Sequence, residues 1–383
     1  MRILQVHTRY RIRAGEDSVV DNEAAVLRDA GDEVVQFTVD NPTDAAGSIT
    51  ALARSPHNRA MAAAVRDEIR RCSPDVVHIH NTWFAMSSSV VGAAASTGVP
   101  VVMTLHNYRL GCLSADLFRD GAVCTACVGR SPARGVVHGC YRGSRALSAI
   151  HAAEVVVTRR RRVLDRAVRR FVIPSDFMAD RLVEIGVPTD RIVVKPHFAA
   201  DVGERPAPPS TSGEVLCIGR LAPGKGVETL LSAWPDVTSR GVERLTIIGD
   251  GPLAGDLAAS LPPGAEIVGW RERAEVQRRL ASARALIMPT EWYEPFGMVL
   301  IEAMSAGLPI VTTTAAGARS IVGGRDDLVV PPHQPADLAA AIDRLDDETV
   351  DREGAANRAR YEDRYTEQRG LADLRLLYEG VTR

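Results

Sequence analysis

Twelve short, almost uninterrupted apolar runs, separated by longer segments with helical periodicity, constrain this chain more than any other feature. In the first half they are 2–7, 33–39, 76–80, 101–106, 170–174 and 191–196. In the second half they are 215–219, 244–249, 266–270, 285–290, 309–313 and 328–331. Runs such as "VVMTLH" and "ALIMPT" do not alternate apolar with polar, which is the pattern of parallel strands covered on both faces. Helical segments at 18–30, 226–240 and 272–283 supply the crossovers of βαβ units. The expected fold class is therefore α/β, with two doubly wound Rossmann-like domains.

The boundary between them is compositional. "AADVGERPAPPSTSG" (199–213) is rich in Pro, Ser and Gly and has no periodicity, as expected of a linker. This predicts an N-terminal domain over 1–198, a C-terminal domain over 214–354, and a helical segment over 355–383 that crosses back to the first domain. Each parallel sheet would present a ligand-binding edge at its strand C-termini, the two facing across a cleft.

Charge and processing signals narrow the function class. The net charge of −2 gives no reason to expect a nucleic-acid partner. The first residues, "MRILQVHTRYR", read as a strand rather than a signal peptide, and no run is long enough to span a bilayer. A cytoplasmic setting follows as the expectation, in which structural disulfides are not expected. Locally, residues 128–170 hold eleven arginines against Glu154 and Asp165. Such a surface suits a phosphate-bearing acceptor, the inner face of an anionic membrane, or a solvated helix face.

Two motifs in the second half carry chemistry. "GRLAPGKG" (219–226) follows a strand and precedes a helix. Its glycines permit close backbone approach, and Arg220 and Lys225 suit a diphosphate. Neither the Walker A spacing nor G-x-G-x-x-G is present in that turn, so a dinucleotide enzyme is disfavoured. In "EWYEPFGMVLIEAMSAGLPIV" (291–311), Glu294 and Glu302 are separated by seven residues. Pro295 and Gly297 mark a helix start, so the amides of Gly297, Met298 and Val299 would point toward a ligand. The two carboxylates would hold hydroxyls at opposite ends of a nucleotide-sugar.

Together with "IIGDGP" (247–252), "VGW" (268–270) and "VVMTLHN" (101–107), these motifs resemble family 4 of the retaining glycosyltransferases, of GT-B fold. The resemblance implies a nucleoside-diphosphate sugar donor, UDP- or GDP-linked, bound by the C-terminal domain, and an acceptor bound by the N-terminal domain. It implies that Arg220 and Lys225 neutralise the leaving diphosphate; no Asp-x-Asp stands in a suitable context, so no divalent metal is expected to be needed there. Glu294 would contact the donor sugar, Glu302 the ribose, and the backbone around Trp270 and Arg271 the base. Gly249 would line the donor site, His106 would stand by the reacting sugar, and Gly15 would lie near the phosphates in the loop after the first strand. The family's usual glycine pair is here Ala14–Gly15, and its Asn-Gly-Val turn is His197–Phe198, assigned only a hinge role. Acceptors in keeping with the resemblance are a glycan, a lipid-linked sugar or a small molecule. A non-hydrolysing sugar-nucleotide epimerase and a non-catalytic sugar-nucleotide sensor are the alternatives. The first needs acid–base carboxylates that the N-terminal half does not show.

Four cysteines, Cys112, Cys124, Cys127 and Cys140, form an insert at about 107–145 with spacing C-x11-C-x2-C-x12-C. The expectation is a structural zinc site, with His138 able to replace one thiolate, set against four reduced thiols. In "VVHIHN" (76–81), His78 and His80 share a strand face, but no third metal ligand is evident. Packing is expected of His78, and acceptor-side hydrogen bonding of His80 or Asn81.

Overall fold

The computed structural model describes residues 1–10, 15–203, 205–315, 317–323 and 326–383. They form two compact units. Unit one comprises Met1–Leu117, Cys124–Pro196 and Gly370–Arg383; unit two comprises Phe118–Val123 and His197–Arg369.

Unit one is built on β1 (Arg2–Arg9), β2 (Glu33–Asp40), β3 (Val76–Ile79) and β4 (Val101–Thr104). A hairpin of two-residue strands, β5 (Phe118–Arg119) and β6 (Ala122–Val123), groups with unit two. Then come β7 (Arg170–Ile173) and β8 (Ile192–Val194). The sheet order is β2-β1-β3-β4-β7-β8, parallel throughout. The central strands β3 and β4 are buried along their whole length, as their continuous apolar sequence requires, whereas the edge strands are only partly covered.

Unit two contains β9 (Glu214–Ile218), β10 (Arg244–Ile248), β11 (Ala265–Gly269), β12 (Ala285–Met288), β13 (Ile310–Thr313) and β14 (Val329–Val330). Its order is β11-β10-β9-β12-β13-β14, again parallel. Alternate residues of these strands feed two separate cores. Val215, Cys217, Leu245, Ile247 and Ile287 enter one; Leu216, Ile248, Leu286 and Met288 enter the other. A sheet with an apolar core on each face is the doubly wound arrangement.

All twelve expected strands are present, with ends shifted by at most two residues. Two details add to the expectation. The C-terminal helical segment is two helices, Asp347–Arg364 and Glu367–Thr382, and the second continues into unit one. The linker is not loose. Ser210 donates from its amide and hydroxyl to Asp351 at 3.0 and 2.7 Å. Buried Arg284 donates to the carbonyls of Ser210 and Ser212. A Pro/Ser composition reports weak intrinsic structure and cannot reveal such tertiary anchors.

Candidate active site

In unit two the chain leaves β9 for β10 on one side of the sheet and returns to β12 on the other side of β9. The gap between β9 and β12 is therefore the switch point, where the two following loops diverge and leave a crevice at the strand C-termini. The loop after β9 is 219–226, and the loop after β12 runs into the helix Met298–Ser305. Both motifs singled out in the sequence flank this crevice.

The first loop needs its glycines for space. Gly226 has φ +74°, and a Cβ there would stand 1.8 Å from the carbonyl oxygen of Pro289. At Gly249, after β10, a Cβ would meet the carbonyl oxygen of Gly219 at 1.8 Å. The loops thus approach backbone to backbone. Glu291 reinforces the contact, its amide donating to the Gly224 carbonyl at 2.8 Å.

Lys225 and Glu294 meet directly, Nζ to Oε2 at 2.6 Å. The same Oε2 accepts from Trp292 Nε1 at 2.9 Å, and Lys225 Nζ lies 4.3 Å from the centre of the Trp292 ring. Arg220 is exposed at the start of the loop. Gly297 caps the helix in a left-handed conformation, φ +86°, so the amides of Met298 and Val299 open the helix at the crevice. Glu302 is half-buried on that helix. Burial pushes its carboxyl up to about 7, against the pull of Arg273. Trp270 is 67% exposed beyond the end of β11, and Arg271 Nη1 donates to its carbonyl at 2.9 Å. An aromatic ring with so much free surface at a sheet edge can stack on a planar ligand.

Some neighbours were not legible in advance. Buried Glu291 accepts from Thr229 Oγ1 at 2.5 Å and faces His333 Nδ1 at 3.1 Å. His197, expected only as a hinge, is buried and packs edge-on against Phe296 at 5.0 Å between ring centres. Phe118, from the cysteine-rich insert, lies against Gly224, where an added Cβ would come within 3.1 Å of its ring.

In unit one the sheet changes direction between β1 and β3. Gly15 is the first residue of the helix Gly15–Asp29 rather than part of the preceding loop, which corrects the expectation; Ala14 lies outside the described residues. His106, two residues past β4, is buried with His80, and His80 Nδ1 and His106 Nε2 are 3.1 Å apart. His78 is tied at both nitrogens, to Tyr378 Oη at 2.8 Å and Thr104 Oγ1 at 2.7 Å. Asn81, expected to serve an acceptor, instead bonds the Thr8 carbonyl and the Trp83 amide.

The third group missing from the histidine pair is Glu23, whose Oε2 lies 3.7 Å from both His78 Nδ1 and His80 Nε2. It comes from the buried face of the first helix, between Val19, Val20, Ala24 and Leu27, a carboxylate in an apolar stripe and the one trace it leaves in the sequence. Lys195 Nζ sits 2.9 Å from Glu23 Oε1 and supplies the cation that this carboxylate faces. Burial pushes the Glu23 carboxyl up, but Lys195 and His78 outweigh it and hold it below the usual range. Burial lowers His78 to about 4, and lowers His80 and His106 as well, so the three imidazoles are neutral at pH 7.

The four cysteines of the insert are reduced and partly buried. Burial raises the Cys127 thiol, and Cys112 and Cys124 are near enough to raise it further. Among the described residues no three of these sulfurs lie within 4.8 Å of one another, with or without His138.

Both units are thus Rossmann-like and carry their polar groups at the carboxyl edges of parallel sheets, the architecture of the GT-B transferases. Solved structures agree. HepE from Anabaena, in complex with UDP and glucose, superposes with a TM-score of 0.67 over 99% of this chain and 100% of that one, at 16% identity. Sucrose-phosphate synthase from Thermosynechococcus elongatus gives a TM-score of 0.71 over 99% and 98%, also at 16% identity. At such identity the likeness establishes the fold.

Sequence comparison supplies the family. Residues 15–199 match Glycosyltransferase Family 4, and residues 212–348 match Glycosyl transferases group 1. Together these take in more than four-fifths of the chain, which belongs to this glycosyltransferase family. Among its relatives, alpha-D-kanosaminyltransferase from Streptomyces kanamyceticus is 27% identical over 55% of this chain and 56% of its own length. Glycogen synthase from Mycobacterium tuberculosis is 28% identical over 76% of this chain and 64% of its own. The chain therefore spans between half and two-thirds of the length of these two relatives. Among the described residues no helix is long and apolar enough to cross a membrane.

Proposed function

We propose that this chain transfers a sugar from a nucleoside-diphosphate sugar to an acceptor hydroxyl, with retention of anomeric configuration. The observation that carries the reading is the convergence of Lys225, Glu294 and the N-terminus of Met298–Ser305 on one switch-point crevice. Departure of the nucleoside diphosphate is the demanding step. Arg220, Lys225 and the amides of Met298 and Val299 would stabilise its growing negative charge, an electrostatic contribution of the kind that dominates many enzymes. Glu294 would hold the transferred sugar, Glu302 the ribose, and Trp270 with Arg271 the base. His106 would hydrogen-bond the sugar. The UDP bound by HepE favours a uridine donor.

A panel of UDP- and GDP-sugars tests this, with nucleoside diphosphate release followed with and without glycan, lipid-linked and small-molecule acceptors. Acceptor-dependent release with an unchanged anomeric configuration is expected. No release with any donor, or release that persists undiminished in Glu294→Ala, would overturn the reading.

The acceptor is proposed to be bound by unit one. The arginines of 128–170 would give peripheral contact with an anionic membrane, tested as vesicle binding that falls steeply with salt. The four cysteines are proposed to close on a structural zinc ion, which would draw their sulfurs together. Near-stoichiometric zinc in protein purified without chelator is expected, and four freely reactive thiols would refute it.

A further inference from the structure

At the carboxyl edge of the first sheet an arginine is fixed in place while two of its three guanidinium nitrogens stay unpaired. Tyr10 follows β1 by one residue, Trp83 follows β3 by four, and Arg109 follows β4 by five. These strands are neighbours in the order β1-β3-β4. The step from β1 to β3 is the switch point of this sheet, so the three residues stand where a parallel sheet leaves a crevice for a ligand. The Arg109 guanidinium carbon lies 5.5 Å from the centre of the Trp83 ring, within cation–π range. Trp83 is buried and fixed in turn. It stacks on His151 of the helix Arg145–Arg160 at 3.9 Å and 27°, and its Nε1 donates to Tyr141 Oη at 3.3 Å. The Arg109 amide donates to Asn107 Oδ1 at 3.0 Å, and Asn107 Nδ2 donates to Glu16 Oε1 at 2.8 Å.

These contacts place the side chain and leave its donors unspent. Arg109 Nε and Nη1 are shut off from water and have no hydrogen-bond partner among the described residues. The titratable groups facing the guanidinium are Tyr10, whose hydroxyl adjoins it, Glu16, Tyr141 and Asp116. Glu16 gives Oε1 to Asn107 instead. Burial pushes the Glu154 carboxyl up to about 8, against the Ser88 amide and Arg109, so at pH 7 it is protonated and adds no negative charge. Burial also lowers His151, which is neutral at pH 7. Donors of a cation that are withdrawn from water and left unpaired cost free energy, which a strongly accepting partner offsets. The residue keeps part of its surface open, so such a partner can reach it.

We propose that Arg109 binds an oxyanion, and that this oxyanion is a phosphate or carboxylate group carried by the acceptor. The binding stands on geometry alone; the acceptor's part in it rests on the transfer reading above. A guanidinium fork matches both groups through paired N–H···O bonds. The Trp83 platform sets the fork before the acceptor arrives, so little side-chain freedom is lost on binding. Arg109 is then a specificity-determining residue, which selects charged acceptors over neutral ones.

Labelling the arginines of the full-length protein with ¹⁵N reads the site without any transfer assay. The Arg109 Nε–H resonance, assigned by its loss in Arg109→Lys, should shift saturably on titration with inorganic phosphate or acetate, and not with sodium chloride at matched ionic strength. Transfer then reads the acceptor. One sugar is offered in neutral, carboxylate and phosphorylated forms, the phosphate both as a free ester and lipid-linked. The kcat/KM should be about ten- to a hundredfold higher for a charged form than for the neutral one, the scale of a hydrogen bond to a charged group, and the preferred form names the source of the oxyanion. In Arg109→Gln this ratio should collapse toward one, whereas a variant that merely folds poorly loses both rates and keeps the ratio. No saturable shift with either anion overturns the site. A shift with equal rates for neutral and charged forms keeps the site and overturns its acceptor role. A shift without transfer from any donor overturns the transfer reading and leaves the oxyanion site standing.

Discussion

Donor affinity should depend on pH through Glu302. This carboxyl is half-buried on Met298–Ser305, and burial raises it from the usual 4.5 to about 7, with Arg273 opposing. Ribose hydroxyls that donate to a carboxylate select its ionised form, so donor binding should tighten as the proton leaves. For a midpoint near 7 the ionised fraction is about 0.1 at pH 6 and about 0.9 at pH 8, which predicts about a ninefold rise in affinity, or about 1.3 kcal/mol. The ligand should be a nucleoside-diphosphate sugar, because its doubly substituted diphosphate keeps its charge over this range. Calorimetric titration at pH 6, 7 and 8 makes the comparison. Glu302→Gln keeps the shape but does not titrate, so its affinity should be flat. Arg273→Met removes the opposing cation and should move the midpoint upward. A flat wild-type profile, or an equal slope in Glu302→Gln, refutes the assignment. The same ionisation acts on stability with a definite sign. The folded value lies above the unfolded one, so burial of the group costs nothing below about pH 4.5, and stability is lost as the pH rises from there through about 7. The loss is at most about 3 kcal/mol, and less once solvent screening at a half-buried side chain is allowed for.

Three further substitutions separate chemistry from architecture. Lys225→Met should lower kcat/KM by about 10²–10³ while leaving thermal stability nearly unchanged, because the pair it breaks is partly solvated; an unaltered rate would remove Lys225 from the leaving-group site. Gly226→Ala forces a methyl group onto the Pro289 carbonyl at a positive φ, and should cost about 1–3 kcal/mol, read as a lower Tm together with lost donor binding. Arg284→Met strips donors from the carbonyls of Leu345, Ser210 and Ser212, so Tm should fall by an amount corresponding to about 2–5 kcal/mol while the donor KM stays constant.

What the sequence made legible follows from range. Strands declare themselves through local apolar runs, and "VVHI" and "VVMT" are buried because three of the four residues in each are apolar and the polar ones, His78 and Thr104, bond to each other. Lys225 and Glu294 were legible because each stands in a loop whose glycines mark a close backbone approach. Glu23, Lys195 and Tyr378 were not. They reach His78 and His80 from elements up to 300 residues away, and each sits in a pattern that reads as ordinary amphipathic helix or strand end. Polar groups that satisfy one another inside a sheet leave no periodic mark, since their partners are chosen by topology and not by spacing. The cysteine insert shows the converse. Its spacing is explicit, yet the geometry depends on where each sulfur is carried by a loop with little regular structure.

The Lys225–Glu294 pair at first sight conflicts with the roles given to its members, one meant for a diphosphate and the other for a sugar. The hydrogen-bond inventory removes the conflict. An ammonium has three N–H bonds and Lys225 commits one to Glu294, so two remain for phosphate oxygens. Glu294 takes both Lys225 and Trp292 on Oε2, which leaves Oε1 for hydroxyl donors. Trp292, with its ring beside the ammonium and its N–H on the carboxylate, holds the two groups in one geometry. Both can thus meet adjoining parts of one ligand without parting from each other. Removing the indole should therefore weaken the diphosphate and sugar contacts together, although it need touch neither; Trp292→Phe, which keeps the ring and loses the donor, should weaken chiefly the sugar contact.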